Sequence, residues 1–95
     1  MQVLADCIKL QLQENNGKIS FEFIKNLAQN AECIYLRPTQ NMRLCILKIY
    51  SGHEVLGMAQ VLDAKNDVEE LGNKVAYERA VDELWAVCGS IAKIV

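Results

Sequence analysis

Met42-Arg-Leu-Cys-Ile-Leu-Lys-Ile-Tyr50, Ser51-Gly52 and His53-Glu-Val-Leu-Gly-Met-Ala-Gln-Val61 decide the fold. The first run is apolar at both alternating sets of positions, which predicts a central strand covered on both sides. Ser51-Gly52 is a turn signal, and the second run alternates as a returning strand. Upstream, Glu32-Cys-Ile-Tyr-Leu-Arg37 is a third strand-like segment. Pro38 then halts a strand or marks a sheet edge, because proline cannot donate to a ladder. The short connections predict an antiparallel meander over about 32–37, 42–50 and 53–61, with the most apolar strand in the middle.

Ahead of the strands, Val3, Leu4, Cys7, Ile8 and Leu12 share one face at helical spacing. Ile8, Leu10 and Leu12 also alternate, and Asn16-Gly17 followed by Ile19, Phe21 and Phe23 could form a hairpin. Capping decides between the two readings. Ser20 can accept from an orphan backbone N–H, Glu22 falls in the first turn, and Ile19 with Ile24 occupies the positions of a hydrophobic staple. Helices are therefore expected at about 2–13 and 20–31.

Behind the strands lies one long helix, about 66–93. Asn66 and Glu69 form a possible capping box. Val68, Leu71, Val75, Tyr77, Val81, Leu84, Cys88, Ile91 and Val95 make the apolar stripe. Gly72 costs about 1 kcal/mol of helix propensity relative to alanine, so close approach to a neighbouring element is expected there. Gly89 is expected to break or bend the helix near its end. The fold class is thus α+β: a three-stranded antiparallel meander, two N-terminal helices and one long C-terminal helix in a single small domain, 1–95.

Composition narrows the function classes. The chain is 52% apolar and 23% charged, which excludes a disordered chain. No stretch approaches the ~20 apolar residues of a membrane span, and Met1-Gln-Val-Leu-Ala-Asp6 has no basic n-region, so no secretory signal is expected. The net charge of −2 argues against direct nucleic-acid binding. That charge is uneven. Residues 1–53 hold six basic and four acidic side chains, whereas residues 54–83 hold three basic and eight acidic ones. Cys7, Cys33, Cys45 and Cys88 show no C-x-x-C spacing and sit among apolar neighbours, which predicts buried, reduced thiols rather than a zinc site or disulfides.

No constellation encodes a reaction. His53, the only histidine, has no evident nucleophile or orienting partner, and a turn-edge histidine is ordinarily just exposed. Gly52 and Gly57 build neither a dinucleotide fingerprint nor a P-loop. Asp63, Asp67, Glu69 and Glu70 crowd the strand–helix junction, but the helix dipole alone accounts for carboxylates there, so neither metal nor cofactor is expected. Tyr77 and Trp85 suit a core or an interface, with core the default. Glu70, Glu78, Asp82 and Glu83 lie mostly off the apolar stripe. They are read either as a solvated surface or as a docking face for a basic partner.

Cys45-Ile-Leu-Lys-Ile-Tyr-Ser-Gly52, Val55-Leu-Gly57-Met-Ala59, Asn66, Gly72-Asn-Lys-Val-Ala76-Tyr77, Ala80 and Leu84-Trp85, with the lead-in Lys18-Ile-Ser-Phe-Glu-Phe-Ile24, resemble the gene product 49/66 family of small tailed-bacteriophage proteins over roughly residues 18–92. The chain departs from that pattern at Ser51, at Ala86-Val-Cys88 and at Ser90. The resemblance implies a phage or prophage gene expressed in the cytoplasm of a bacterial host. It supplies no established activity.

The expected function is that of a non-enzymatic accessory protein. It binds and inhibits a host protein complex, such as an antiviral, CRISPR-type defence effector, through Glu70, Glu78, Asp82 and Glu83. A small-ligand or nucleotide-signal binder is the alternative, and would need Arg37, Arg43 and Lys48 to converge on phosphates. A phage structural or morphogenetic component is a further alternative. A domain this small buries only about 60–65% of its unfolded surface, so the high apolar content also predicts a homodimer or larger oligomer.

Overall fold

The computed structural model describes residues 2–60 and 69–94. The order is α1 (Gln2–Glu14), α2 (Phe21–Gln29), β1 (Glu32–Thr39), β2 (Met42–Lys48), β3 (Glu54–Gln60) and α3 (Glu69–Ile94). The sheet is antiparallel with strand order β1-β2-β3, and the α+β architecture matches the sequence reading. Asn66, Val68, Asp63 and Asp67, which that reading assigned to a cap, an apolar stripe and an acidic junction, lie outside the described residues.

Local chemistry explains the boundaries. Asn16 and Gly17 both adopt positive φ, 55° and 79°. They turn the chain out of α1, and the Gly17 N–H donates back to the Leu12 carbonyl at 2.8 Å. Asn16-Gly17 therefore ends a helix and does not make a hairpin. Ser20 caps α2 by accepting from the Phe23 N–H at 3.1 Å. That helix stops two residues short of expectation, where the Asn30 side-chain amide donates to the Asn26 carbonyl at 2.9 Å. β1 continues through Pro38 because it is an edge strand, and the register shifts between Leu36 and Thr39 around the proline.

α3 is the spine of the molecule. Its 26 residues span about 39 Å, which accounts for extents of 49 × 22 × 20 Å. β2 and β3 pack on its first half. There Gly57 lies against the α3 backbone, so a Cβ at that position would run into the Ala76 carbonyl and the Ala80 amide. Ala76 and Ala80 are small and fully buried, and they complete this close approach. Gly72 makes the contact expected of it: the Arg43 side chain of β2, itself buried, fills the space a Cβ would occupy. Gly89 departs from expectation. α3 runs unbroken through it to Ile94, and no atom of a packed neighbour crowds it.

α1 and α2 pack on α3 and join the core through Leu4, Ile8, Ile24, Leu27 and Ala28. The expected coverage of β2 on both sides is therefore corrected. Arg43, Cys45 and Leu47 are buried beneath α3, whereas Leu44 and Ile46 on the other face are only half-buried. The helices contributed by the N-terminal segment dock beside the sheet's own helix, and among the described residues no helix covers the far face of the sheet. β1 reaches past α3, and all of its residues are exposed.

The expectation of four buried thiols is corrected for the same reason. Cys45 and Cys88 are buried, Cys7 is half-buried and Cys33 is exposed on the uncovered edge strand. Burial pushes the Cys88 thiol up to about 11. Burial, with a hydrogen bond to Cys33 across 3.5 Å, pushes Cys45 up to about 12. The thiolate is the reactive form, so at pH 8 these two are ionised to roughly one part in a thousand or less. Native labelling at pH 8 is therefore expected to modify Cys33 quickly and Cys7 more slowly. Cys45 and Cys88 should react only in denaturant, as read by intact mass, and equal rates at all four would contradict this burial pattern.

Candidate functional site

α2 and α3 run alongside each other with a groove of about 490 Å³ between them. Phe21, Ile24 and Ala28 face it from α2, and Tyr77, Val81 and Trp85 face it from α3. These positions follow helical spacing on both elements, so each helix presents one stripe to the cleft. Ile24 and Ala28 are buried in its floor, whereas Phe21 is 66% exposed at its mouth. Lys25 and Gln29 border it on the α2 side, and Glu78 and Asp82 on the α3 side. The result is an apolar channel with two carboxylates, one helical turn apart, along one lip.

The four acidic residues singled out from sequence do not form one patch. Glu78 and Asp82 share the groove. Glu70 borders a separate shallow hollow with Tyr35, Asn73, Lys74 and Tyr77. Glu83, five residues beyond Glu78, lies about 140° further around the helix. All four are exposed. Tyr77 lines both hollows, and burial raises its hydroxyl above the ordinary tyrosine range, with Cys33 and Cys45 adding to the effect.

Other candidates separate in space. Arg43 is buried between β2 and α3, Arg37 lies on the β1 edge and donates to the Gln40 carbonyl at 2.9 Å, and Lys48 stands in register between Glu32 and Glu54 of the neighbouring strands, at the opposite end of β2 from Arg43. The convergent basic cluster needed for a phosphate ligand is not assembled from these three. His53 uses its backbone carbonyl to accept from the Ile49 N–H at 2.9 Å, closing the β2–β3 turn. Tyr50 donates its hydroxyl to the Cys7 sulfur at 2.7 Å, tying that turn to α1. Among the described residues no group of three His, Cys, Asp or Glu side chains is placed to hold a metal ion. No described helix is long and apolar enough to cross a membrane.

Sequence reasoning missed the groove itself. Phe21 and Trp85 were each visible at helical spacing, but their meeting depends on α2 lying along α3. The signal that could have found it is the excess of apolar positions on α2: Phe21, Phe23, Ile24 and Leu27 form a stripe wider than one neighbour can cover.

The fold and groove define a small two-layer α+β protein whose features are exposed apolar surfaces. The chain belongs to the Phage protein (N4 Gp49/phage Sf6 gene 66) family, whose model matches residues 11–94. No curated protein and no solved structure matches it.

Proposed function

We propose that this phage protein is a non-enzymatic accessory protein that acts in the cytoplasm of the bacterial host by docking onto a host protein complex and inhibiting it. The carrying observation is the α2–α3 groove, an apolar channel with Glu78 and Asp82 on one lip and Phe21 protruding at its mouth. Such a channel accepts one face of an amphipathic helix, and its acidic lip favours lysine or arginine beside that face. The partner element is therefore a basic amphipathic segment of a host protein. Proteins that handle nucleic acid, antiviral defence effectors of the CRISPR type among them, carry such segments. Glu70 and Glu83, on the flanks of α3, add to the long-range field that steers a basic surface inward but do not line the channel.

The test compares wild type with the double variant Glu78→Lys/Asp82→Lys, at equal amounts, in a host lysate. Both side chains are exposed, so the variant should keep the wild-type circular dichroism spectrum. Wild type is expected to retain a host protein complex through a contact that weakens as salt rises, and to lower that complex's activity when added in stoichiometric amounts. The variant should lose both effects. Undiminished capture by the folded variant, or co-purification of a nucleotide without protein, overturns the reading.

A further inference from the structure

We infer that the bare face of the sheet is a dimer interface, covered by the same face of a second copy of this chain. Cross-strand register places six apolar side chains there in two rows three strands wide. One row is Ile34, Ile46 and Leu56, and the next is Leu36, Leu44 and Met58. All six alternate with residues on the α3 side and so point away from α3. Leu56 is 52% exposed and Leu36 46%. A sheet with one face in water normally carries polar residues on that face. Here the two central rows of the solvent face are apolar in all three strands.

Both edges of the sheet are poor alternatives. At β3, Arg79 reaches over from α3 and donates to the Met58 carbonyl at 2.7 Å. At β1, Pro38 and the register shift between Leu36 and Thr39 interrupt the ladder that another strand would need. The face has neither protection.

A second copy fits by extent and by charge. The face exposes on the order of 500 Å² per copy, or about 1,000 Å² in a pair, the lower end of specific interfaces. A two-fold contact uses one patch twice, so a flat apolar face needs no differently shaped partner. Charge then selects the orientation. The row beyond Ile34–Ile46–Leu56 is Glu32, Lys48 and Glu54, and the row beyond Leu36–Leu44–Met58 ends in Met42 and Gln60. If the stacked strands ran parallel, Lys48 would face Lys48 and Glu32 would face Glu54 across the ~10 Å that separates packed sheets. With a two-fold axis crossing the strands between the apolar rows, each apolar row covers the other. The two charged rows then lie about 20 Å apart, beyond the screening length at physiological salt. In that stack Leu56 of one copy faces Met58 of its partner.

Sedimentation velocity of the full chain from about 1 to about 200 µM spans the affinities expected of such an interface. Wild type is expected to move from 10.7 kDa to twice that mass across the range. Leu56→Lys should weaken the dimer at least ~100-fold, since it sets an unpaired charge in an apolar contact. Circular dichroism should show the variant folded, because the side chain is half exposed. Met58→Glu should behave alike. A mixture of the Leu56→Lys and Met58→Glu chains should re-form a dimer, because the two new charges face each other. Three results would overturn the inference: wild type monomeric at the highest concentration, a dimer indifferent to Leu56→Lys, or a mixture that stays monomeric.

Discussion

Gly57→Ala is expected to lower the melting temperature by more than about 12 °C. That is the shift a loss of about 3 kcal/mol produces in a domain of this length. At Gly57 the obstacle is backbone. The added methyl would meet the Ala76 carbonyl oxygen and the Ala80 amide of α3, and neither can rotate away as a side chain could. Relief requires lifting the helix off β3, which opens the packing of Val55 and Ala59 against α3 along the same strand. A total stability of only about 5–15 kcal/mol for ordinary domains makes this a large fraction. Thermal denaturation followed by circular dichroism reads the effect. A change below about 4 °C would mean that helix and strand are not in backbone contact.

Leu84→Ala should cost about 2–5 kcal/mol by leaving a cavity in the core. Leu84 is fully buried where α3 meets the rest of the molecule, and it shares its core cluster with Ile8, Ile24 and Leu47 from three other elements. Trp85, the next residue, is expected to behave differently. It is half-buried, lines the groove and only partly joins the core. Its truncation should cost less, about 1–2 kcal/mol by the area withdrawn from water, while removing an aromatic wall of the channel. Urea melts of the two variants, with capture of a host complex measured on both, separate the roles. Leu84→Ala should lose stability in greater measure, and folded Trp85→Ala should lose binding. Equal loss of stability at both positions would place Trp85 in the core and count against the groove as a contact surface.

Signals that act within a few residues were legible in the sequence. The Ser20 hydroxyl and the Phe23 amide are three residues apart, so the cap could be named before any packing was known. Gly72 announced itself by its cost in a helix and proved to accommodate Arg43. The acidic residues were legible as a group, but only Glu78 and Asp82 share the groove, because helix rotation carries Glu83 to another side and Glu70 lies two turns earlier beside Tyr35. Gly89 looked like a break because glycine is a poor helix former. Packing of Cys88 and Ile91 on either side of it holds the helix through that point.

Local patterning along the chain sets the elements, their order and the antiparallel pairing. Periodicities of 3.6 and 2 are properties of the backbone, and short connections leave sequential strands little choice but to pair. Tertiary structure alone decided which faces are covered. The apolar runs of β2 demand cover on both sides, yet α1 and α2 spend their own apolar stripes on α3 beside the sheet. Burial of a side chain depends on where distant elements dock, and alternation along one strand carries no record of that. For this reason Cys33 is open, Arg43 is buried, and Ile34, Leu36, Leu56 and Met58 face water on a sheet whose composition reads as interior.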